Sequence, residues 1–201
     1  MLVAAWAVAF LAAGPAAADP VTLDGITFSD ERGGFTIRGG SGRGTLEDPF
    51  VLREEITDDG PAVLVIRGLD RHVGEGPGSQ PVGWFALVKV VTNQSGRLWT
   101  SFELELREDL SHPSTYDDGL SFAQGLPDFM GRFTADRFRR VRRIEEPLDA
   151  VEFSDGLVRP GETVRVSMVV TDYTPVPEFF LIQRREGQVA TLPRSRSRPR
   201  G

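Results

Sequence analysis

The side chains able to do chemistry in this chain lie in connections, and none of them forms a complete catalytic or ligand-binding motif. Asp70, His72 and Glu75 fall within a Gly/Pro-rich stretch, residues 69–83 (LDRHVGEGPGSQPVG). One imidazole and two carboxylates at i, i+2 and i+5 match no diagnostic metal spacing. Asp109, Asp117 and Asp118 lie in EDLSHPSTYDDGLS, and hard carboxylate oxygens suit calcium. The spaced acids of an EF-hand loop are missing, so these three are weak calcium candidates and otherwise solvated acids. His112 has Ser111 and Ser114 nearby, but nothing orders them into nucleophile, base and orienter, and no G-x-S-x-G elbow occurs. The glycine-rich run GGSGRGT at 39–45 lacks the Gly-Lys-Ser/Thr ending of a phosphate loop and precedes an extended segment, FVLREEIT. No catalytic residue and no cofactor is therefore expected. Trp99, Tyr116, Asp70 and His72 are the loop residues placed to contact a ligand.

The cations have an unusual distribution. Of 23 basic residues, Lys89 is the only lysine, while the net charge is −6. That acidity argues against generic nucleic-acid binding. Five arginines cluster at 137, 139, 140, 142 and 143 with Phe138 and Val141 between them, which reads as an exposed charged face. Four more, Arg194, Arg196, Arg198 and Arg200, alternate with Ser and Pro in a tail expected to be disordered and able to touch an anionic partner.

The elements that must position these residues are strands. Residues 84–107 (WFALVKVVTNQSGRLWTSFELELR) read as two strands joined by a polar turn at Asn93-Gln94-Ser95-Gly96. The first is apolar on both faces except for Lys89, as in a strand covered on both sides, so Trp84 is expected to be buried. In the second, Phe102, Leu104 and Leu106 alternate with Glu103, Glu105 and Arg107, which predicts a solvated face for the acids. Residues 21–28 and 34–38 read as a hairpin or sheet-edge pair, 63–66 as a central strand, and 163–172 as a strand with Val164, Val166, Met168 and Val170 on one face. Around 134–144, Phe138, Val141 and Ile144 recur every three residues, so at most one short helix is expected there. High Gly (22) and Pro (14) contents favour many turns, and there is no cysteine.

Nine or ten strand candidates predict an all-β, two-sheet antiparallel sandwich, with a barrel as the alternative. The expected organisation is a signal peptide at 1–18, a β-sandwich domain at 19–185, and an arginine-rich tail at 186–201. The apolar run MLVAAWAVAFLAAGPAAA, with Gly14-Pro15 and small residues before Asp19, predicts secretory export with cleavage after Ala18. The segments Asn93-Gln94-Ser95-Gly96, Trp99-Thr100-Ser101-Phe102, Asp118-Gly119-Leu120-Ser121-Phe122 and Pro160-Gly161-Glu162-Thr163 resemble those of exported bacterial β-sandwich proteins of immunoglobulin-like appearance. The resemblance implies a periplasmic or extracellular role and transfers no catalytic residue. The functional expectation is a non-enzymatic envelope or extracellular module that binds a partner, such as an anionic envelope polymer or another envelope protein, or plays a structural role. The alternative is a carbohydrate-binding or carbohydrate-active protein. Working surfaces are expected on the loops 39–49, 69–83 and 109–119.

Overall fold

The computed structural model describes residues 20–71, 73–75, 81–125 and 129–189. The signal-peptide segment, His72 and the arginines at 194, 196, 198 and 200 lie outside the described residues. In chain order the strands are β1 (Val21–Leu23), β2 (Ile26–Ser29), β3 (Thr36–Ser41), β4 (Phe50–Ile56), β5 (Ala62–Arg67), β6 (Val73–Glu75), β7 (Pro81–Asn93) and β8 (Arg97–Trp99). They continue with β9 (Phe102–Arg107), β10 (Leu120–Phe122), β11 (Thr134–Ala135), β12 (Phe138–Ile144), β13 (Ala150–Gly156), β14 (Thr163–Asp172), β15 (Glu178–Arg184) and β16 (Gly187–Val189). Helical structure among the described residues is limited to three short 3-10 turns.

The first sheet runs β1-β2-β5-β15-β9-β13-β12. The second runs β10-β14-β7-β4-β3, with β6 added to β7 and β11 to β14. Pairing is antiparallel except between β4 and β7, which are parallel. Parallel neighbours need a crossover, and here the chain makes it by leaving the second sheet through β5. A small third ladder pairs β16 with β8, so strand pairing continues past Arg185 into the segment expected to be tail.

One hydrophobic cluster draws on both large sheets. Phe28 and Phe179 come from the first sheet, and Phe50 and Phe85 from the second. Phe28 meets Phe50 and Phe85 edge-on at centroid distances of 5.4 and 6.0 Å, and Phe85 stacks on Phe179 at 6.5 Å. Edge-to-face and offset pairs of this kind add to the area each ring buries. Val63 to Ile66 are central, as their run of β-branched and apolar side chains predicts, with β5 flanked by β2 and β15.

The structure corrects several expectations. Strands β7 and β9 are not hairpin partners. β7 sits between β14 and β4 in the second sheet, whereas β9 sits between β15 and β13 in the first. The polar segment between them is a corner that carries the chain from one sheet to the other. Asn93 holds it: its Nδ2 donates to the carbonyls of Arg97 (2.8 Å) and Val158 (3.0 Å), and its Oδ1 accepts from Ser95. Residues 21–28 close on themselves as the β1–β2 hairpin, through Asp24 and Gly25 at φ 44° and 83°. Two positive φ values suit the right-handed twist of the flanking strands. β3 belongs to the other sheet, beside β4.

The segment 134–144 is strand rather than helix, with six residue pairs joining β12 to β13. The three-residue recurrence of Phe138, Val141 and Ile144 is overridden because the neighbouring strand supplies the backbone partners. The described residues of the connection 69–83 form a 3-10 turn (Leu69–Arg71), β6 and the start of β7. Trp84 is half-buried and packs against the core cluster.

Candidate functional site

Lys89, Glu54 and Gln183 are wholly buried, at 0–1% exposure, and lie together in the interior. Strand alternation puts them there. Lys89 is in phase with Phe85, Leu87 and Val91, Glu54 with Phe50, Leu52 and Ile56, and Gln183 with Phe179 and Leu181, all of them core residues. Lys89 and Glu54 come from adjacent strands of the second sheet and Gln183 from the first. The Lys89 ammonium donates to Glu54 Oε1, while Glu54 Oε2 accepts from Gln183 Nε2 at 3.0 Å. The Phe35 ring lies 5.9 Å from Nζ. Burial pulls the Lys89 amine below its usual value, and the Glu54 carboxylate works against that shift. Gln183 Oε1 is buried without a hydrogen-bond partner among the described residues. Sequence reasoning missed this set, although a polar residue on the apolar phase of a strand was the available signal.

A charged ladder crosses the outward face of the first sheet. Arg142 donates to Glu152 (2.9 Å), and Arg184 donates to Glu103 (3.0 Å) and to Glu105. Arg107 also bonds Glu105 and reaches the Leu110 carbonyl at 2.9 Å. Glu105 was expected on a solvated face and is instead 0% exposed. The arginine stems and the loop that Arg107 ties down cover it. Beyond the ladder, β12 ends the sheet and pairs with β13 alone. On it Arg139, Arg140 and Arg142 are exposed. Arg142 is neutralised by Glu152, whereas Arg139 and Arg140 make no ion pair among the described residues.

A group of carboxyls collects near the start of β10. Asp149 and Asp172 are 0% exposed. Asp149 Oδ1 accepts from Ser121 Oγ at 3.1 Å, and Asp172 Oδ1 accepts from the Thr174 N–H at 2.9 Å. Glu108 Oε1, Asp149 Oδ2 and Asp172 Oδ2 are buried without partners among the described residues. Burial, and then Asp118 and Asp172, push Glu108 up to about 7. Burial raises Asp149 to about 6 against the pull of Ser121 and Arg143, and it raises Asp172 as well.

The loop candidates are not brought together. Trp99 is 2% exposed, its Nε1 donates to Ser95 Oγ at 3.1 Å, and the Arg185 guanidinium covers its ring at 5.6 Å. It therefore forms the buried floor of a polar depression of about 450 Å³ lined by Asp59, Arg97, Arg185 and Glu186, not an exposed platform. Asp70 lies in a 3-10 turn with Oδ1 buried and unpartnered among the described residues. Tyr116 opens another such turn, which also holds Asp117 and Asp118. Asp109 is occupied by Ser111 and His112, at 2.7 and 3.2 Å, and Asp118 by the Leu120 N–H. Among the described residues no group of three or more His, Cys, Asp or Glu is placed to hold a metal ion, and Asp109, Asp117 and Asp118 are not gathered into one. No described helix is long and apolar enough to cross a membrane. Compared with known proteins, the chain matches no family model, no curated protein and no solved structure.

Proposed function

We propose that this chain is an exported β-sandwich module of immunoglobulin-like kind that binds an anionic partner of the bacterial envelope or extracellular space. The observation that carries the reading is the edge strand β12, where Arg139 and Arg140 stand exposed and without ion pairs among the described residues, on a chain of net charge −6. An edge strand offers unpaired backbone groups, and arginines along it repel a second copy of the same edge while attracting an acidic one. Successive residues point to opposite faces, so the two guanidiniums flank the edge. An acidic extended segment of an envelope protein, or a polyanionic envelope polymer, fits between them. The arginine tail adds attraction of the same sign. Export follows the amino-terminal reading, with the mature chain beginning at Asp19.

The test compares the mature chain with an R139E/R140E variant in a pull-down from envelope extract at low and high salt. Retention that is salt-sensitive and lost in the variant supports the proposal. Equal retention of both proteins removes β12 from it. Amino-terminal sequencing of exported protein tests the cleavage after Ala18.

A further inference from the structure

We propose that Lys89 and Gln183 become joined by an intramolecular isopeptide bond, with Glu54 moving the protons. Three features point there. First, the amine, the carboxylate and the carboxamide are all buried in one place, and the two oxygens of Glu54 hold the amine on one side and the amide nitrogen on the other. Second, the other 22 basic residues are arginines. A guanidinium cannot be deprotonated and an ammonium can, so lysine occupies the single buried position where loss of a proton generates a nucleophile. Third, Gln183 is held through its nitrogen alone, and its carbonyl oxygen has no donor among the described residues. An amide serving only to satisfy polar groups in a core would be expected to satisfy itself at both ends.

The reaction balances without any co-reactant. Glu54 accepts one proton from the Lys89 ammonium. The freed amine attacks Gln183 Cδ, forming the new C–N bond as the carbonyl electrons move to Oε1. The tetrahedral centre collapses with cleavage of the Cδ–Nε2 bond, and Nε2 leaves as ammonia after taking the second proton from the attacking nitrogen. The products are a secondary amide, ammonia and a protonated Glu54. One ammonium, one carboxylate and one primary amide are thereby replaced by neutral groups, which removes the desolvation cost of a buried ion pair. Burial already favours the neutral amine. Holding both reactants on one carboxylate supplies the proximity that makes an intramolecular acyl transfer fast. The bond would tie β7 to β15, and so the second sheet to the first. It would constrain the unfolded chain as a long-range disulfide does, in a protein without cysteine.

Intact-mass measurement of the full folded chain, followed by denaturation and peptide mapping, decides the matter. The expected result is a mass lower by one ammonia, a branched peptide containing Lys89 and Gln183, and no cleavage by trypsin after Lys89. The K89M, E54Q and Q183M variants are expected to keep their full mass. A full-mass wild-type chain whose Lys89 reacts with an amine reagent after denaturation overturns the proposal. A mass lower by one water, with Lys89 linked to Glu54, overturns the assignment to Gln183. The wild-type peptide map gives its answer whether or not the variants fold.

Discussion

Raising the pH from about 5 to about 8 should destabilise this protein, because its buried carboxyls are easier to keep protonated when folded. A carboxyl whose folded pKa is raised binds more protons in the native state than in the unfolded one. Its penalty is absent below the unfolded pKa, near 4, and complete above the folded value. For Asp149 the rise is from 3.8 to about 6. At about 1.4 kcal/mol per pH unit this sets an upper bound of about 3 kcal/mol. Glu108 rises from 4.5 to about 7. It is partly reached by solvent, and after discounting for screening we assign it about 1 kcal/mol. Asp172 shifts in the same direction. Asp118 couples the three, so their contributions are not additive. Part of the Asp149 penalty is already present at pH ~5, so the expected loss between pH ~5 and ~8 is about 2–3 kcal/mol. Glu31 lies outside it: hydrogen bonds from Arg67 lower it to about 2, so the stability it contributes is lost only at more acidic pH. Urea unfolding at several pH values, read by tryptophan fluorescence, measures the slope. D149N keeps an acceptor for Ser121 while removing the charge, and should flatten the curve and raise stability at pH ~8 by about 1–2 kcal/mol. A wild-type curve that is level or rises between pH ~5 and ~8 would refute the reasoning.

Other outcomes are equally specific. G156A should weaken the β12 edge, because a Cβ there would lie 1.8 Å from the Arg137 carbonyl oxygen; faster hydrogen exchange confined to β12 and β13 is the readout. N93A should cost about 2–4 kcal/mol in urea unfolding, since it leaves the buried Ser95 N–H and hydroxyl without their shared acceptor and takes one of two donors from the Val158 carbonyl, which keeps the Trp99 N–H. F85A, at the junction of the Phe28, Phe50 and Phe179 rings, should cost about 3–5 kcal/mol. R139E/R140E should leave thermal stability nearly unchanged while abolishing salt-sensitive retention on envelope extract, because exposed charges contribute little to folding and much to encounter.

The local pattern of side chains was enough to identify most strands. Alternation in 102–107 and 163–172 and the doubly apolar runs at 63–66 and 84–91 correspond to β9, β14, β5 and β7. A period of two follows from the pleat and needs no knowledge of the partner strand. Which strands pair is a different matter. The β7 and β9 segments look like a hairpin, yet lie in different sheets, because Asn93 and Ser95 satisfy a corner with side-chain bonds to residues as distant as Val158. The same limit explains residues 138–144, where a partner strand overrode an ambiguous three-residue recurrence. It also explains the charged residues. From sequence, Glu105 is another acid on a polar face, and only the approach of Arg107 and Arg184 closes it from water. Lys89 was visible as the one charge in an apolar run. Its burial beside Glu54 and Gln183, about a sixth and about half of the chain away in sequence, was decided by the packing of one sheet on another. Periodicity is a local property of the chain, whereas burial of a charge and the company it keeps are set by contacts between segments remote in sequence.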